Sequence, residues 1–224
     1  SLCRNAGRKA TTGEVLVLRS QTGLEDRRLS KINKSCRQIL DPVAGAVCGL
    51  YPRRDPSIWK HPEQKRWMQW SRPLDASQII GVMSNEGRGL FRGCYWGAET
   101  RHGVIDIDID SRYHNAQELT KLVYKFASVG LILTPYQSSN SGGWHLYYFL
   151  DDWAPSAEIE QTIKEWLKTL GYVLQSGTLE VFPSGNALRL PLQQGFAWLA
   201  PYGQVTTRRE DLKQEEALAL FLSN

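Results

Sequence analysis

No long apolar run occurs in this sequence. None of its 224 residues belongs to a stretch like the roughly 20 consecutive apolar residues that a membrane-spanning helix needs. The first residues also lack the basic and then apolar pattern of a secretory signal. These absences exclude a membrane-spanning chain, and we expect a soluble, intracellular protein with no membrane partner. A chain of this length buries one sizeable core, or one core and a smaller lobe.

Cysteine pairs are lacking as well. The four cysteines are scattered without a single C-x-x-C pair, at Cys3, Cys36, Cys48 and Cys94. This spacing argues against a zinc knuckle and against a disulfide framework, and it favours reduced thiols. The first position holds Ser1 instead of methionine. We interpret this as the sign of a fragment excised from a longer protein with further domains.

Acidic residues are scarce in the first third of the chain. Residues 1–72 contain 15 Lys or Arg against 6 Asp or Glu, a balance of +9, whereas the remainder contains 12 against 17, a balance of −5. Such a distribution is typical of a protein that binds a polyanion with one part and cations with another. Basic residues that merely solvate helices would give the same count. The charge pattern by itself leaves both interpretations open.

Three segments of the basic third carry recognisable patterns. The apolar run at 15–18 predicts an edge strand or an arm, and residues 27–40 combine helical apolar spacing with basic residues, which predicts a basic amphipathic helix. The segment 51–70 interleaves four aromatic residues with five Lys or Arg. Aromatic rings beside cations suit stacking on single-stranded nucleic acid. Packing between lobes would use the same residues, and we favour packing for most of them.

A strand and a helix are predicted from residue 104 onward. The alternation in VIDIDID (104–110) predicts a strand whose aspartates project from one face while the isoleucines enter the core. Asn115 then begins a helix, with Glu118 placed three residues later as in a capping box. Gly130 ends this helix.

The next elements are predicted to be a hairpin, a helix and a strand. LILTPY (131–136) and WHLYYFL (144–150) flank a turn-rich segment and predict paired strands. Apolar residues at helical spacing predict a second amphipathic helix over 155–171, and a fourth strand follows within 172–183. The order strand, helix, strand, strand, helix, strand is that of an α+β fold of the split βαβ type.

This topology brings distant polar residues together. In a split βαβ fold the first and third strands are central neighbours, and the fourth strand lies beside the first. Side chains on these three strands therefore converge on the open face opposite the helices. The sequence places aspartates on the first strand, His145 on the third and Glu180 on the fourth.

The aspartates of the first strand predict a metal site. Crowding Asp106, Asp108 and Asp110 on one face is unfavourable unless cations lie among them. Carboxylates two residues apart project in parallel and suit hard divalent ions, with Glu180 as a third ligand of a two-metal site. An exposed, solvated strand face is the alternative, and it is strongest for Asp110 near the strand end.

Three further positions are candidates for binding phosphate. SGGWH places Ser141, Gly142 and Gly143 in a turn whose free backbone N–H groups could cradle phosphate, and His145 follows as a donor. The same glycines are ordinary in hairpin turns. Arg189 follows Glu180 by nine residues and returns to the same face to neutralise a triphosphate or template, or else forms a surface salt bridge.

These motifs resemble those of a known superfamily. VIDIDID, then SGGWHLYYF, then LEVFPSGNALRLPL resemble in order the acidic D-x-D, the serine-glycine-x-histidine element and the acid followed by a basic strand of the archaeo-eukaryotic primase superfamily. The resemblance covers about residues 90 to 195 and is strongest to the primase-polymerase branch. The stretch FRGCYWGAETRHGVIDID resembles the entry into the first motif in plasmid- and phage-type members.

The resemblance implies a function and a set of site residues. A DNA primase-polymerase would use Asp106, Asp108 and Glu180 to hold two Mg²⁺ or Mn²⁺ ions, while other residues bind the incoming (d)NTP. These nucleotide-binding residues would be Ser141, Gly143, His145 and Arg189. Asp110 is an extra acid, so that Asp108 and Asp110 could be the ligands instead. We prefer the earlier pair because Val104 and Ile105 precede it in the strand interior.

The resemblance also implies an architecture and partners. We expect an RRM-like split βαβ (βαββαβ) palm over residues 86–200, preceded by a basic α/β or helical accessory lobe at 1–85 that holds template, and followed by a helical tail at 201–224. The expected partners are a single-stranded DNA template, a primer, (d)NTPs and a helicase domain or protein. The expected location is the cytoplasm, on nucleoid, plasmid or phage DNA.

Two other classes of protein share parts of this pattern. A metal-dependent nuclease or replication initiator also clusters acids on a sheet, but a rolling-circle initiator needs a His-x-His pair, and none of the four histidines forms one. A non-catalytic module that binds single-stranded nucleic acid would carry aromatic residues where this sheet carries Asp106 and Asp108. Without metal these acids would repel phosphate.

Overall fold

The computed structural model describes residues 41–84 and 89–223. The strand or arm predicted at 15–18 and the basic helix predicted at 27–40 lie outside the described residues. Within the described ranges, no helix has the length and apolar character needed to cross a membrane.

The described residues form an α+β fold. The helices are α1 (Pro42–Gly49), α2 (Ala76–Met83), α3 (Ala116–Ala127), α4 (Ser156–Thr169) and α5 (Gln214–Leu222). The strands are β1 (Ser57–Lys60), β2 (Met68–Trp70), β3 (Phe91–Cys94), β4 (Glu99–Ile107), β5 (Thr134–Gln137), β6 (Trp144–Pro155), β7 (Leu179–Phe182), β8 (Leu188–Arg189), β9 (Ala197–Leu199) and β10 (Val205–Arg208).

The larger sheet confirms the predicted split βαβ topology. Its strand order is β10-β9-β5-β6-β4-β7, and every neighbouring pair is antiparallel. The first and third strands of the predicted motif, β4 and β6, are central neighbours, β7 lies beside β4, and β5 forms the expected hairpin with β6. The strands β9 and β10 extend the sheet beyond β5, which the sequence pattern did not indicate.

The first strand of this motif begins and ends earlier than predicted, because it extends from Glu99 to Ile107 instead of from residue 104 to residue 110. β4 ends at Ile107, and the chain then turns, with the Ser111 backbone N–H donating to the carbonyl of Asp108 over 3.0 Å. Ile109 and Asp110 are therefore exposed turn residues. The alternation of apolar and acidic residues continues through this turn, although the turn residues do not pair with another strand. The pattern alone therefore does not show where β4 ends.

The helix after β4 begins where the sequence indicates. The Asn115 side chain accepts a hydrogen bond from the Glu118 backbone N–H over 3.0 Å. In a full capping box, the Glu118 side chain would in turn accept a hydrogen bond from the Asn115 backbone N–H. Here the Glu118 carboxylate instead accepts hydrogen bonds from Lys121 Nζ at 3.2 Å and from the Tyr172 hydroxyl at 3.3 Å. Helices α3 and α4 bury their apolar stripes against the face of the large sheet that carries Ile105 and Ile107.

The opposite face of the large sheet is half covered. Helices α1, α2 and α5 contribute to one hydrophobic cluster that includes Val104, Tyr147 and Phe182 of this face. The face was expected to be open, but this cluster leaves uncovered only the part that carries Asp106, His145 and Glu180. Segments before residue 85 and after residue 200 thus contribute to a common core, and the predicted division of the chain at those positions stays a prediction.

A second, smaller sheet has the strand order β2-β1-β3-β8. Its centre requires a glycine, because a Cβ atom on Gly93 would lie 2.5 Å from the Leu188 carbonyl oxygen and 2.7 Å from Ile58 Cγ1. Two of its four strands, β1 and β2, come from the aromatic and basic segment 51–70. Trp59 and Trp70 pack edge to face on one another, with ring centroids 6.3 Å apart, as expected for residues that mainly stabilise the fold.

Candidate active site

The strand register places one carboxylate between two functional side chains. Asp106 on β4 is directly opposite His145 on β6 and directly opposite Glu180 on β7. Residues paired across neighbouring strands project from the same face of a sheet. The three polar residues therefore form a row across three strands, on the face away from α3 and α4.

The row lies in a cleft of about 630 Å³ between the two sheets. Six of the seven predicted site residues line this cleft, namely Asp106, Asp108, Ser141, His145, Glu180 and Arg189. Asp108 lies one residue beyond the end of β4 and is half-buried, whereas Asp110 is exposed in the turn and is not among the lining residues. The position of the cleft favours Asp106 and Asp108 over the alternative pair of Asp108 and Asp110.

The electrostatics of Asp106 indicate a surplus of negative charge. Burial raises the pKa of the Asp106 carboxyl well above its ordinary value, and the nearby carboxylates of Asp108 and Glu180 raise it further. Burial disfavours a charged form, and neighbouring like charges add to that cost. A cation bound among these groups would relieve both effects.

His145 is a neutral imidazole in this environment. Burial, assisted by the positive charge of Arg189, lowers the pKa of His145 to about 3. Its Nε2 atom lies 3.4 Å from Asp106 Oδ1. Because the ring is neutral at pH 7, this contact is a polar contact between a ring nitrogen and a carboxyl group, not an ion pair. The ring can still donate a hydrogen bond to a phosphate oxygen.

The turn before His145 differs from the predicted phosphate cradle. The backbone N–H of Ser141 donates to Ser139 Oγ, and that of Gly142 donates to the Ser139 carbonyl. These donors are therefore used within the turn and are not free for phosphate. The hydroxyls of Ser139 and Ser141, 2.7 Å apart, line the cleft in their place.

Gly143, the seventh predicted site residue, has a different position. It is buried, and its carbonyl accepts a hydrogen bond from the Ser138 N–H over 2.7 Å. A Cβ atom at this position would lie 3.3 Å from the Ile107 carbonyl oxygen and 3.8 Å from the Asp108 Cα atom. Its absence of a side chain thus permits the hairpin to approach the end of β4.

Arg189 was expected on the same face as Glu180 but lies on β8 of the small sheet, from which it contributes positive charge to the cleft. Its guanidinium lies 3.9 Å from the centre of the Phe91 ring and donates from Nη2 to the Gln194 carbonyl over 2.7 Å. Burial lowers the pKa of Arg189 to about 10, so the group stays charged at pH 7. Among the described residues Arg189 takes part in no ion pair, and its buried Nε atom has no hydrogen-bond partner.

The carboxylates fit a divalent cation by their chemistry. Asp106, Asp108 and Glu180 offer the hard oxygen donors that Mg²⁺ and Mn²⁺ prefer. Over 41–84 and 89–223, however, no three or more His, Cys, Asp or Glu side chains form a group that is already arranged to hold a metal ion. Binding would therefore draw the carboxylates closer than they stand here.

Several residues of the cleft were not singled out from the sequence. Ser176 donates from its hydroxyl to Glu180 Oε2 over 3.3 Å. Lys60, Trp67, Met68 and Tyr95 line the side of the cleft formed by the small sheet and the residue that follows β3. Serine in a loop carries no positional signal. The mixed aromatic and basic composition of 51–70 indicates either nucleic-acid stacking or packing, but composition alone does not separate the cleft-facing residues from those that pack.

Comparisons with known proteins give likenesses of fold. No protein-family model matches the chain, and neither does any curated protein. Among solved structures, the chain is similar to the polymerase domain from Mycobacterium tuberculosis Ligase D in complex with DNA, with a TM-score of 0.43 and 14% sequence identity. The similarity covers 82% of this chain and 87% of that chain. It concerns the fold alone.

Proposed function

We propose that this chain is a DNA primase-polymerase, which transfers nucleotides from (d)NTPs to a growing strand under the direction of a template. The observation that carries the proposal is the row of Glu180, Asp106 and His145 across three adjacent strands, in one cleft with Asp108, Ser141 and Arg189. A row of acids beside neutral and cationic phosphate donors suits phosphoryl transfer.

The cleft residues divide into three groups with different tasks in this reaction. Asp106, Asp108 and Glu180 would hold two divalent ions, which when bound lower the pKa of the attacking 3′-hydroxyl and stabilise the departing pyrophosphate. Arg189 supplies a fixed positive charge for the triphosphate. His145 and the Ser141 hydroxyl offer uncharged donors to phosphate oxygens. Positioning and charge neutralisation provide most of the rate in such chemistry.

Primer extension tests the proposal. The purified chain, a primed DNA template and dNTPs are expected to give metal-dependent elongation in the presence of Mg²⁺ or Mn²⁺. Asp106→Asn combined with Asp108→Asn should reduce incorporation by about 10²-fold or more, because the retained side-chain shape no longer carries the charges that hold metal.

Asp110→Asn is the control, since it makes the same type of substitution at one aspartate of the exposed turn. It should leave incorporation within about twofold of wild type, as expected for a surface substitution. Absence of metal-dependent incorporation in the wild type would refute the proposal, as would a double variant with undiminished activity. Shortened primers instead of extended ones would indicate the metal-dependent nuclease.

A further inference from the structure

Trp67, in the hairpin formed by β1 and β2, has a different position from Trp59 and Trp70 of the same hairpin. Trp59 pairs with Met68 on one face of the hairpin. The adjacent residues, Lys60 and Trp67, are therefore side by side on the opposite face. The Lys60 ammonium lies 5.7 Å from the centre of the Trp67 ring. Both residues line the cleft that contains the acidic row.

Packing within the protein does not account for the position of Trp67. Trp59 and Trp70 pack against one another, and Arg92 covers Trp70 at 4.7 Å. Trp67, in contrast, is 38% exposed, and its neighbour Met68 is 47% exposed. Exposed apolar groups that line a cleft are characteristic of binding surfaces.

Charge around the hairpin indicates the class of ligand. Residues 60–67 contain Lys60, Lys65 and Arg66 against Glu63, a balance of +2. Glu63, Lys65 and Arg66 are exposed in the loop that connects β1 and β2. The other wall of the cleft carries Asp106, Asp108 and Glu180. A polyanion is therefore attracted to the hairpin and repelled by the acidic wall wherever no cation intervenes.

We propose that Trp67 is a stacking platform for an unpaired base of a single-stranded nucleic-acid template, while Lys60, Lys65 and Arg66 contact its backbone phosphates. An exposed aromatic ring beside cations provides both interactions that bind a single strand without sequence preference. A duplex would not use the ring, because its bases already stack on one another. The inference rests on the proposed function, since it assigns the template to one wall of the same cleft.

The test measures binding without metal or nucleotide, so that it is independent of catalysis. Fluorescence anisotropy of a labelled single-stranded DNA oligonucleotide is compared for wild type, Trp67→Ala and Trp67→Phe. We expect Trp67→Ala to weaken binding about 5- to 150-fold, the range found for loss of one base stack, and Trp67→Phe to retain most of the affinity.

Trp153→Ala provides the matched control. Trp153 is 42% exposed, similar to Trp67, but it lies with Pro52 and Glu99 on another part of the surface. Its removal should change affinity by less than about twofold. Circular dichroism spectra and melting temperatures of the variants verify that each is folded.

Two outcomes would overturn this inference and leave the proposed function intact. One is a folded Trp67→Ala variant that binds the single strand as tightly as wild type. The other is equal weakening by Trp67→Ala and Trp153→Ala. In either case, metal-dependent incorporation that is lost in the Asp106 and Asp108 double variant would still support the enzyme. If the wild type incorporates no nucleotide but its binding of single-stranded DNA still depends on Trp67, only the proposed enzymatic activity is refuted.

Discussion

The two walls of the cleft are built in opposite ways. The acidic wall lies on the large sheet, where Asp106 is flanked on both sides by paired strands and its pKa is raised by burial. The basic wall lies on a hairpin of the small sheet, where Trp67 and Met68 remain exposed. The acid at the centre of the proposed metal site is thus held by paired strands, whereas the groups proposed to contact the nucleic acid are on the exposed wall.

Neutralising one acid should separate the tasks of the two walls most clearly. Glu180→Gln removes a carboxylate of the acidic row while preserving its shape, and we expect incorporation to fall about 10²-fold because less negative charge remains to hold metal. Oligonucleotide affinity without metal should stay equal or increase, since one repelling charge is gone. Primer extension and anisotropy on the same samples provide the measurement.

Glu165→Gln on the exposed side of α4 is the control for this substitution and should change neither quantity. A parallel loss of incorporation and of metal-free binding in Glu180→Gln would mean that the acidic wall also binds the strand. The division of tasks between the walls would then be incorrect.

Close strand packing in the acidic wall is tested at Gly103. A Cβ atom there would overlap the Tyr148 hydroxyl and lie 2.6 Å from the Phe182 carbonyl oxygen, between β4, β6 and β7. Gly103→Ala should therefore lower the free energy of unfolding by about 1–3 kcal/mol. Urea denaturation measures this change. An unchanged midpoint would show that the strands can separate without cost, so that the acidic wall is less rigid than its burial indicates.

Substitutions in the basic wall should mainly change the salt dependence of oligonucleotide affinity. Lys65→Gln combined with Arg66→Gln removes two exposed charges from the hairpin loop, and the slope of log affinity against log salt should fall by about 1.4, or about 0.7 per phosphate contact with a single strand. Anisotropy titrations at several salt concentrations give the slope. Lys121→Gln combined with Lys168→Gln removes two exposed charges from α3 and α4 and should leave the slope unchanged. Equal slopes for the two double variants would place the strand elsewhere.

The smallest effect is expected away from both walls. Gly81 lies within α2, and a Cβ atom there would meet no atom within 4 Å. Gly81→Ala should raise the free energy of unfolding by about 0.5–1 kcal/mol, because alanine restricts the unfolded chain and favours the helix. Incorporation and oligonucleotide binding should be unaffected. A loss of either would reveal that α2 influences the cleft.

Local periodicity was sufficient to predict the central topology. The apolar stripes of α3 and α4 and the alternation in β4 and β6 each depend on neighbours a few residues apart, so the sequence contains their signal. The same periodicity could not indicate where β4 ends, because Asp110 continues the alternation after pairing has stopped. Nor could it predict β9 and β10, because these short strands form by pairing with the edge of the sheet at β5 and carry little periodicity of their own.

The sequence by itself determined that acids and a histidine occur on strands of a split βαβ fold and that an arginine follows them in the chain. Only the tertiary structure decided that Asp106 stands between His145 and Glu180, that Asp110 does not line the cleft, and that the backbone N–H groups of Ser141 and Gly142 are already used. It also decided that Trp67 faces the cleft while Trp59 and Trp70 pack together. Register, burial and the identity of the opposite wall arise from contacts between residues far apart in the chain, and no local pattern encodes such contacts.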